Sequence, residues 1–153
     1  MRKEALRAAL VERLEADLAT ARAAHDAAIE GATHEEARPE NDKDTRGLEQ
    51  SYLARGLAQR VAELEAAVAA VPAMTLAKPR VVAVGAVVTV EEDDATRRFF
   101  IAMHGGGVVL PDAVTVITPT SPIGRALFGR AVDDECEANA GGKKRMLVVV
   151  RID

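Results

Sequence analysis

The sequence predicts an α+β protein. An antiparallel helical hairpin, a short coiled coil, occupies residues 1–76, and a small antiparallel β-sheet domain with one short helix occupies residues 77–153. Three observations lead to this. Leu6, Leu10, Leu14 and Leu18 recur every fourth residue. Leu57, Val61, Leu64, Val68 and Val71 recur in alternating four- and three-residue steps. Either interval returns side chains to one face of a helix. Beyond Pro72 the chain changes to short β-branched runs separated by Gly, Pro and acidic turns, the pattern of strands and hairpins.

The first helix is expected over residues 2 to about 30. It is rich in alanine, the strongest helix former, with Gly31 as its C-cap. No Ser, Thr, Asp or Asn caps its start, so the first turn is expected to fray. An acidic turn follows from His34 to Asp44. Pro39 stands near the start of the second helix, where a missing N–H is harmless. Glu40, Asp42 and Asp44 complement the dipole there. Pro72 ends the second helix after Val71. At ~1.5 Å per residue, roughly thirty residues make an arm on the order of 45 Å long, with the acidic turn at its tip. Gly47 and Gly56 each cost about 1 kcal/mol relative to Ala, which implies close packing or local softness.

In the second half, residues 73–80 read as a linker and 81–90 as a strand. Glu91–Asp94 is a polar turn, and 97–103 a second strand. Gly105–Gly107 reads as a turn or bulge, and 108–110 and 114–117 as short strands. Ser121–Gly129 reads as a short helix: Ser121 caps it, Pro122 takes the first position and Gly129 stops it. Gly141-Gly142 signals a hairpin before a last strand at 146–152.

Composition narrows the function. There is no Trp, one Tyr (Tyr52) and three Phe (Phe99, Phe100, Phe128), too few aromatics for base stacking. A net charge of −4 opposes generic attraction to phosphate. The excess acid lies entirely in residues 1–76, with 10 basic and 14 acidic side chains, against 10 of each in 77–153. Cys136 is the only cysteine, so no intrachain disulfide forms, which fits a reducing compartment. Met1-Arg2-Lys3-Glu4 lacks the apolar run of a signal peptide, and no stretch approaches the ~18 apolar residues of a membrane span. The expectation is a soluble cytoplasmic protein without a membrane partner.

Several features have plain structural readings. The acidic turn by itself is a solvated charge run. His34, without a second His or a Cys nearby, reads as a surface residue rather than a ligand. Leu48 and Tyr52, spaced i, i+4, read as packing, and Glu49 and Gln50 as solvated helix positions. Gly105-Gly106-Gly107 is not a phosphate loop, since no Lys-Ser/Thr follows. Lys143-Lys144-Arg145 reads as a solvated loop, and Cys136 as a small buried apolar residue.

Three stretches, in consistent order along the chain, resemble one family. Glu40-Asn41, Glu49-Gln50 and Gly56 reproduce a Glu-Asn…Glu-Gln…Gly pattern. Ser121-Pro122-Ile123-Gly124-Arg125-Ala126-Leu127-Phe128-Gly129-Arg130 is similar to a Ser-Pro-(Ile/Leu)-x-x-Ala-Leu-Leu-Gly-Lys helix. Val132-Asp133-Asp134-Glu135 is similar, imperfectly, to Val-Gly-Asp-x-Val. Together they resemble the GreA/GreB transcript cleavage factors of bacterial RNA polymerase, with an FKBP-like second domain. The resemblance implies a monomeric accessory factor, not an enzyme, with RNA polymerase core as partner. RNA 3′ ends and DNA are met only within the transcription complex, the sense in which the family counts as DNA-binding. It implies docking through Ser121, Pro122, Ile123, Gly124, Asp133 and Asp134. It also implies insertion of the hairpin into the secondary channel and action of Glu40 and Glu36 at the tip. Glu40 would bear on Mg²⁺ held by the polymerase, the chain having no cofactor of its own. Carboxylate oxygens suit that hard cation, and a two-metal site stabilises attacking and leaving oxygens.

The family tip carries Asp-x-x-Glu-Asn, and here the Asp position falls on Ala37, beside Glu36 and Glu35. A misplacement of ~1 Å can cost about 10²-fold in rate. Two readings therefore stay open: stimulation of cleavage of backtracked RNA, or secondary-channel binding without cleavage. Outside the resemblance, a coiled-coil interaction adaptor unrelated to polymerase is the alternative. Prolyl isomerase activity would need an aromatic-lined pocket, for which the three Phe are poor material.

Overall fold

The computed structural model describes the backbone of residues 2–36 and 46–153, and the side chains of residues 2–31 and 48–153. The chain forms two compact units, one of residues 12–69 and one of residues 1–11 together with 70–153. Among the described residues no helix is long and apolar enough to cross a membrane.

The first unit pairs α1 (Lys3–Glu36), from residue 12 onward, with α2 (Arg46–Ala70). Leu14, Leu18, Ala21 and Ala28 are buried on α1, and Leu64 and Ala67 on α2, with Leu57, Val61 and Val68 half-buried beside them. The seam steps by four and three residues, the spacing that keeps one face toward a partner helix. Arg22 pairs with Glu65 at 3.5 Å, and Gly31 lies against the Gln50 side chain, so the helices run antiparallel. Gly31 does not cap α1, which continues to Glu36. A Cβ at Gly31 would make only an ordinary contact, 3.4 Å from Gln50 Oε1, so neither chain reversal nor close approach requires a glycine here. Gly56 has open space where a Cβ would be, which leaves softness and not packing as its effect. α2 ends at Ala70, and the expected stop, Pro72, lies in the 3-10 turn Val71–Ala73 that follows.

In the second unit, six strands form one sheet in the order β3-β4-β2-β1-β6-β5. They are β1 (Val87–Glu92), β2 (Ala95–Ile101), β3 (Val109–Leu110), β4 (Val114–Ile117), β5 (Glu135–Ala140) and β6 (Lys143–Ile152). Four neighbouring pairs are antiparallel, but β2 and β4 run parallel, with Phe100 opposite Val116. The connection through residues 102–113 is long enough for the crossover that a parallel pair requires. Both two-residue hairpins use positive φ at both central positions: Asp93 and Asp94 (48° and 64°) and Gly141 and Gly142 (61° and 76°). This geometry matches the twist of the flanking strands.

The strand expected from residue 81 begins at Val87. Gly85, at φ 91°, has the Thr75 carbonyl oxygen where a Cβ would be, only 2.0 Å away, and Val82 bonds instead to the backbone of Gly129 and Arg130. β5 was not foreseen. Its Glu135, Cys136, Glu137 and Ala138 alternate exposed and buried, but the pattern uses small and polar residues without β-branched ones.

One face of the sheet carries Val88, Val90, Phe99, Ile101, Leu147 and Val149, packed with Leu127 of the short helix α3 (Pro122–Leu127). Each such side chain contributes on the order of 1.5–3 kcal/mol by leaving water. The start of α1 is tied into this unit. Leu6 and Leu10 are buried, with Leu10 against Gly105. Lys3 Nζ donates to the carbonyls of Ala77 (3.1 Å) and Gly85 (3.0 Å), and Arg7 to that of Met74 (3.0 Å). These bonds pin the first turn that lacks a cap, in place of the fraying its sequence suggests.

Candidate functional site

The Ser-Pro-Ile-Gly segment builds a locked corner. Ser121 Oγ accepts a hydrogen bond from the Gly124 amide (3.1 Å) and donates to the Thr118 carbonyl (2.7 Å). Pro122 occupies the first helical position, where its fixed φ suits the helix and its missing N–H costs nothing. Gly124 is obligatory. A Cβ there would lie 1.8 Å from Thr118 O and 2.8 Å from Ser121 Oγ. Gly129, at φ 81°, follows the helix, and its amide bonds to Val82 O at 2.8 Å. Pro122 is exposed, Ser121 and Ile123 are half-buried, and Gly124 is buried. The corner thus offers a proline ring on a backbone that cannot relax.

Asp133 and Asp134 lie on a separate turn. The Asp134 carboxylate accepts from the Ala131 amide at 2.8 Å, so it holds the turn closed. Asp133 adopts φ 74° and its carboxylate is exposed, while its amide bonds to Val149 O on β6. The structure therefore assigns the two aspartates different work, and only Asp133 faces outward. The corner is not joined to this turn but to β5. Pro122, Arg125 and Ala126 line an open cleft of about 380 Å³ with Glu137, Ala138 and Asn139. Arg125 lies in the motif helix but has no role assigned from sequence, and Glu137 and Asn139 were missed because β5 was missed. Alternation before Gly141-Gly142 is the signal that would have found them.

A second cleft, about 410 Å³, is lined by Val71, Met74, Val84, Met103 and His104 among others. No Phe, Tyr or Trp lines either cleft. Phe99 and Phe100 are buried, and Phe128 is exposed.

At the far end of β1, Glu92 is a buried carboxylate, 8% exposed. Its Oε1 accepts from Arg145 Nη2 at 2.7 Å and from Arg97 Nε at 2.9 Å, and its Oε2 from Arg145 Nε. The Arg145 hydrogen bonds hold its carboxyl below the usual range, against the opposing effect of burial. This cluster joins β2, β1 and β6.

Of the tip residues, Glu36 is the last residue of α1, with its side chain outside the described residues. Glu40, Ala37 and Pro39 lie outside them altogether. Among the described residues no group of three or more His, Cys, Asp or Glu side chains comes together as a metal site.

No curated protein matches the sequence. Among solved structures the chain is similar to the GreA factor homolog 1 (Gfh1) protein of Thermus thermophilus, at 24% identity over 94% of each chain with a TM-score of 0.42. It is also similar to Gfh1 of Thermus aquaticus, at 24% identity over 92% of each chain with a TM-score of 0.42. Another structure of the transcription factor Gfh1 shows 21% identity over 94% of this chain and 93% of that one, with a TM-score of 0.42. Residues 77–153, half of the chain and most of the sheet unit, match the model of the transcription elongation factor GreA/GreB C-terminal domain. The chain belongs to the GreA/GreB family of transcription elongation factors.

Proposed function

We propose that this protein is a cytoplasmic Gre-type regulator that binds RNA polymerase core as a monomer through residues 77–153 and inserts its helical hairpin into the secondary channel. The observation that carries this reading is the family match over 77–153, the segment that contains the locked Ser121–Gly124 corner. A rigid corner with an exposed proline suits docking, because little ordering entropy remains to be lost on binding. Asp133, outward on its turn, joins Ser121, Pro122, Ile123 and Gly124 in the docking set. Asp134 supports it by closing that turn.

The hairpin brings its tip toward the polymerase active centre. The factor is an accessory, and the reacting groups belong to the polymerase and its RNA. Glu40 and Glu36 supply carboxylate oxygens beside Mg²⁺ held by the polymerase and orient a water toward the backtracked RNA. A second reading, channel occupancy without cleavage, is favoured by one observation: Ala37 replaces the expected aspartate. Cleavage assays on backtracked complexes separate the two. Stimulation by the unmodified protein that falls at least tenfold in Glu40→Ala supports tip chemistry. Retention on polymerase without stimulation supports occupancy alone. No retention at micromolar concentration would remove both and leave a coiled-coil adaptor.

A further inference from the structure

Three side chains of α2, Leu48, Tyr52 and Arg55, face away from α1. Leu48 is 54% exposed and Tyr52 58%, so neither packs within the hairpin, contrary to their sequence reading. Arg55 holds its guanidinium 5.4 Å from the centre of the Tyr52 ring and makes no ion pair among the described residues. The seam side of α2 is marked by Gln50, Ala54, Leu57 and Val61, all half-buried. At 3.6 residues per turn, Leu48, Tyr52 and Arg55 point roughly 170° away from it. Farther along α2 the same outward face carries only Gln59, Ala62, Ala66 and Ala69. Large apolar groups on this face are confined to the part nearest the tip.

We infer that Leu48, Tyr52 and Arg55 form a contact stripe that seats the arm against a protein wall of the polymerase secondary channel. This rests on the reading above, and the wall would present an apolar depression for Tyr52 and a carboxylate for Arg55. The composition is that of an interface hot spot, where Tyr and Arg predominate. The stripe is small. Three half-exposed side chains offer on the order of 300 Å², against ~800 Å² per partner in a stable complex. It cannot recruit a partner or a second copy unaided, so it suits a host already held elsewhere on the chain. RNA is a poorer occupant, because the helical half carries the whole negative excess and repels phosphate. Arg55 already covers one face of the only tyrosine ring, which leaves less room for a stacked base.

The test uses the full chain and polymerase core. Leu48→Ser with Tyr52→Ser should leave far-UV circular dichroism unchanged, since both side chains are exposed, and weaken the Kd for polymerase about tenfold. Ala66→Ser, on the same face, should leave it unchanged. A photo-crosslinking p-benzoylphenylalanine in place of Tyr52 should label a polymerase subunit. Normal binding by the unmodified protein, with no loss in the double variant or with labelling of RNA or a second copy, overturns the stripe and leaves polymerase docking intact. Failure of the unmodified protein to bind overturns both.

Discussion

Removing the Glu92 carboxylate tests how the sheet is held together. Glu92 ties β1 to both neighbours, but unequally. Arg145 on β6 donates through two nitrogens and is 24% exposed, whereas Arg97 on β2 donates through one and is 55% exposed. A hydrogen bond to a charged group is worth about 1.5–3 kcal/mol, and stripping the partner from a buried ion costs about 3–5 kcal/mol. Arg145 keeps enough exposure to rehydrate, which places Glu92→Ala at about 2–3 kcal/mol, just below the span for a fully buried pair. Double-mutant cycles should assign about 2 kcal/mol to the 92–145 pair and under ~1 kcal/mol to the solvent-screened 92–97 pair. The pH dependence follows from the lowered carboxyl. Its stabilisation is fully present above the ordinary carboxylate value of about 4.3 and is lost as pH falls from there through the lower folded value. Glu92→Gln should therefore flatten stability over that acidic window. Hydrogen exchange of β1, β2 and β6 amides reads the sheet without interference from the helices. Equal coupling to both arginines, or an unchanged acid profile in Glu92→Gln, would refute the assignment.

Gly124→Ala should cost about 3 kcal/mol or more, because the new methyl meets a backbone oxygen that cannot swing aside. Ser121→Ala, which removes the cap and the hydroxyl bond to the Thr118 carbonyl without a clash, should cost less, about 1–2 kcal/mol. Thermal unfolding checks both, and near-equal melting of Gly124→Ala and its parent would contradict the corner geometry. Cys136 is 4% exposed, and burial pushes its thiol pKa up. Native protein should thus react with an aromatic disulfide reagent no faster than β5 opens, with full labelling in urea. Immediate stoichiometric labelling of native protein would refute its burial.

Much of the fold was legible because the sequence marks it with side-chain chemistry. Pro72 ends α2, Ser121-Pro122 opens α3, and Gly141-Gly142 turns the last hairpin, each through a local constraint on φ or a missing N–H. What escaped depends on distant atoms. Gly31 has the residue type of a cap, but α1 runs on past it to Glu36. Gly124 looked like one variable position in a motif, but the Thr118 carbonyl makes it obligatory. The first turn of α1 lacks a cap in sequence and is held by carbonyls more than 60 residues away. Asp133 and Asp134 were indistinguishable by type, and only the turn reveals that one is spent on the Ala131 amide.

Leu6, Leu10, Leu14 and Leu18 look like one stripe, yet the first two belong to the sheet unit and the last two to the hairpin. A four-residue interval fixes a shared face and says nothing about what covers it. Leu48 and Tyr52 share that interval, which by itself reads as packing, yet both are exposed. Phase decides the matter. Carrying the 57, 61, 64, 68 register back along α2 places 54 and 50 on the seam and leaves 48, 52 and 55 opposite it. The antiparallel partner helix can cover only one side. Apolar side chains that keep the period but not the phase of their helix are therefore candidates for contacts made outside the chain. On this arm they fall in the half of α2 that leads to Glu40.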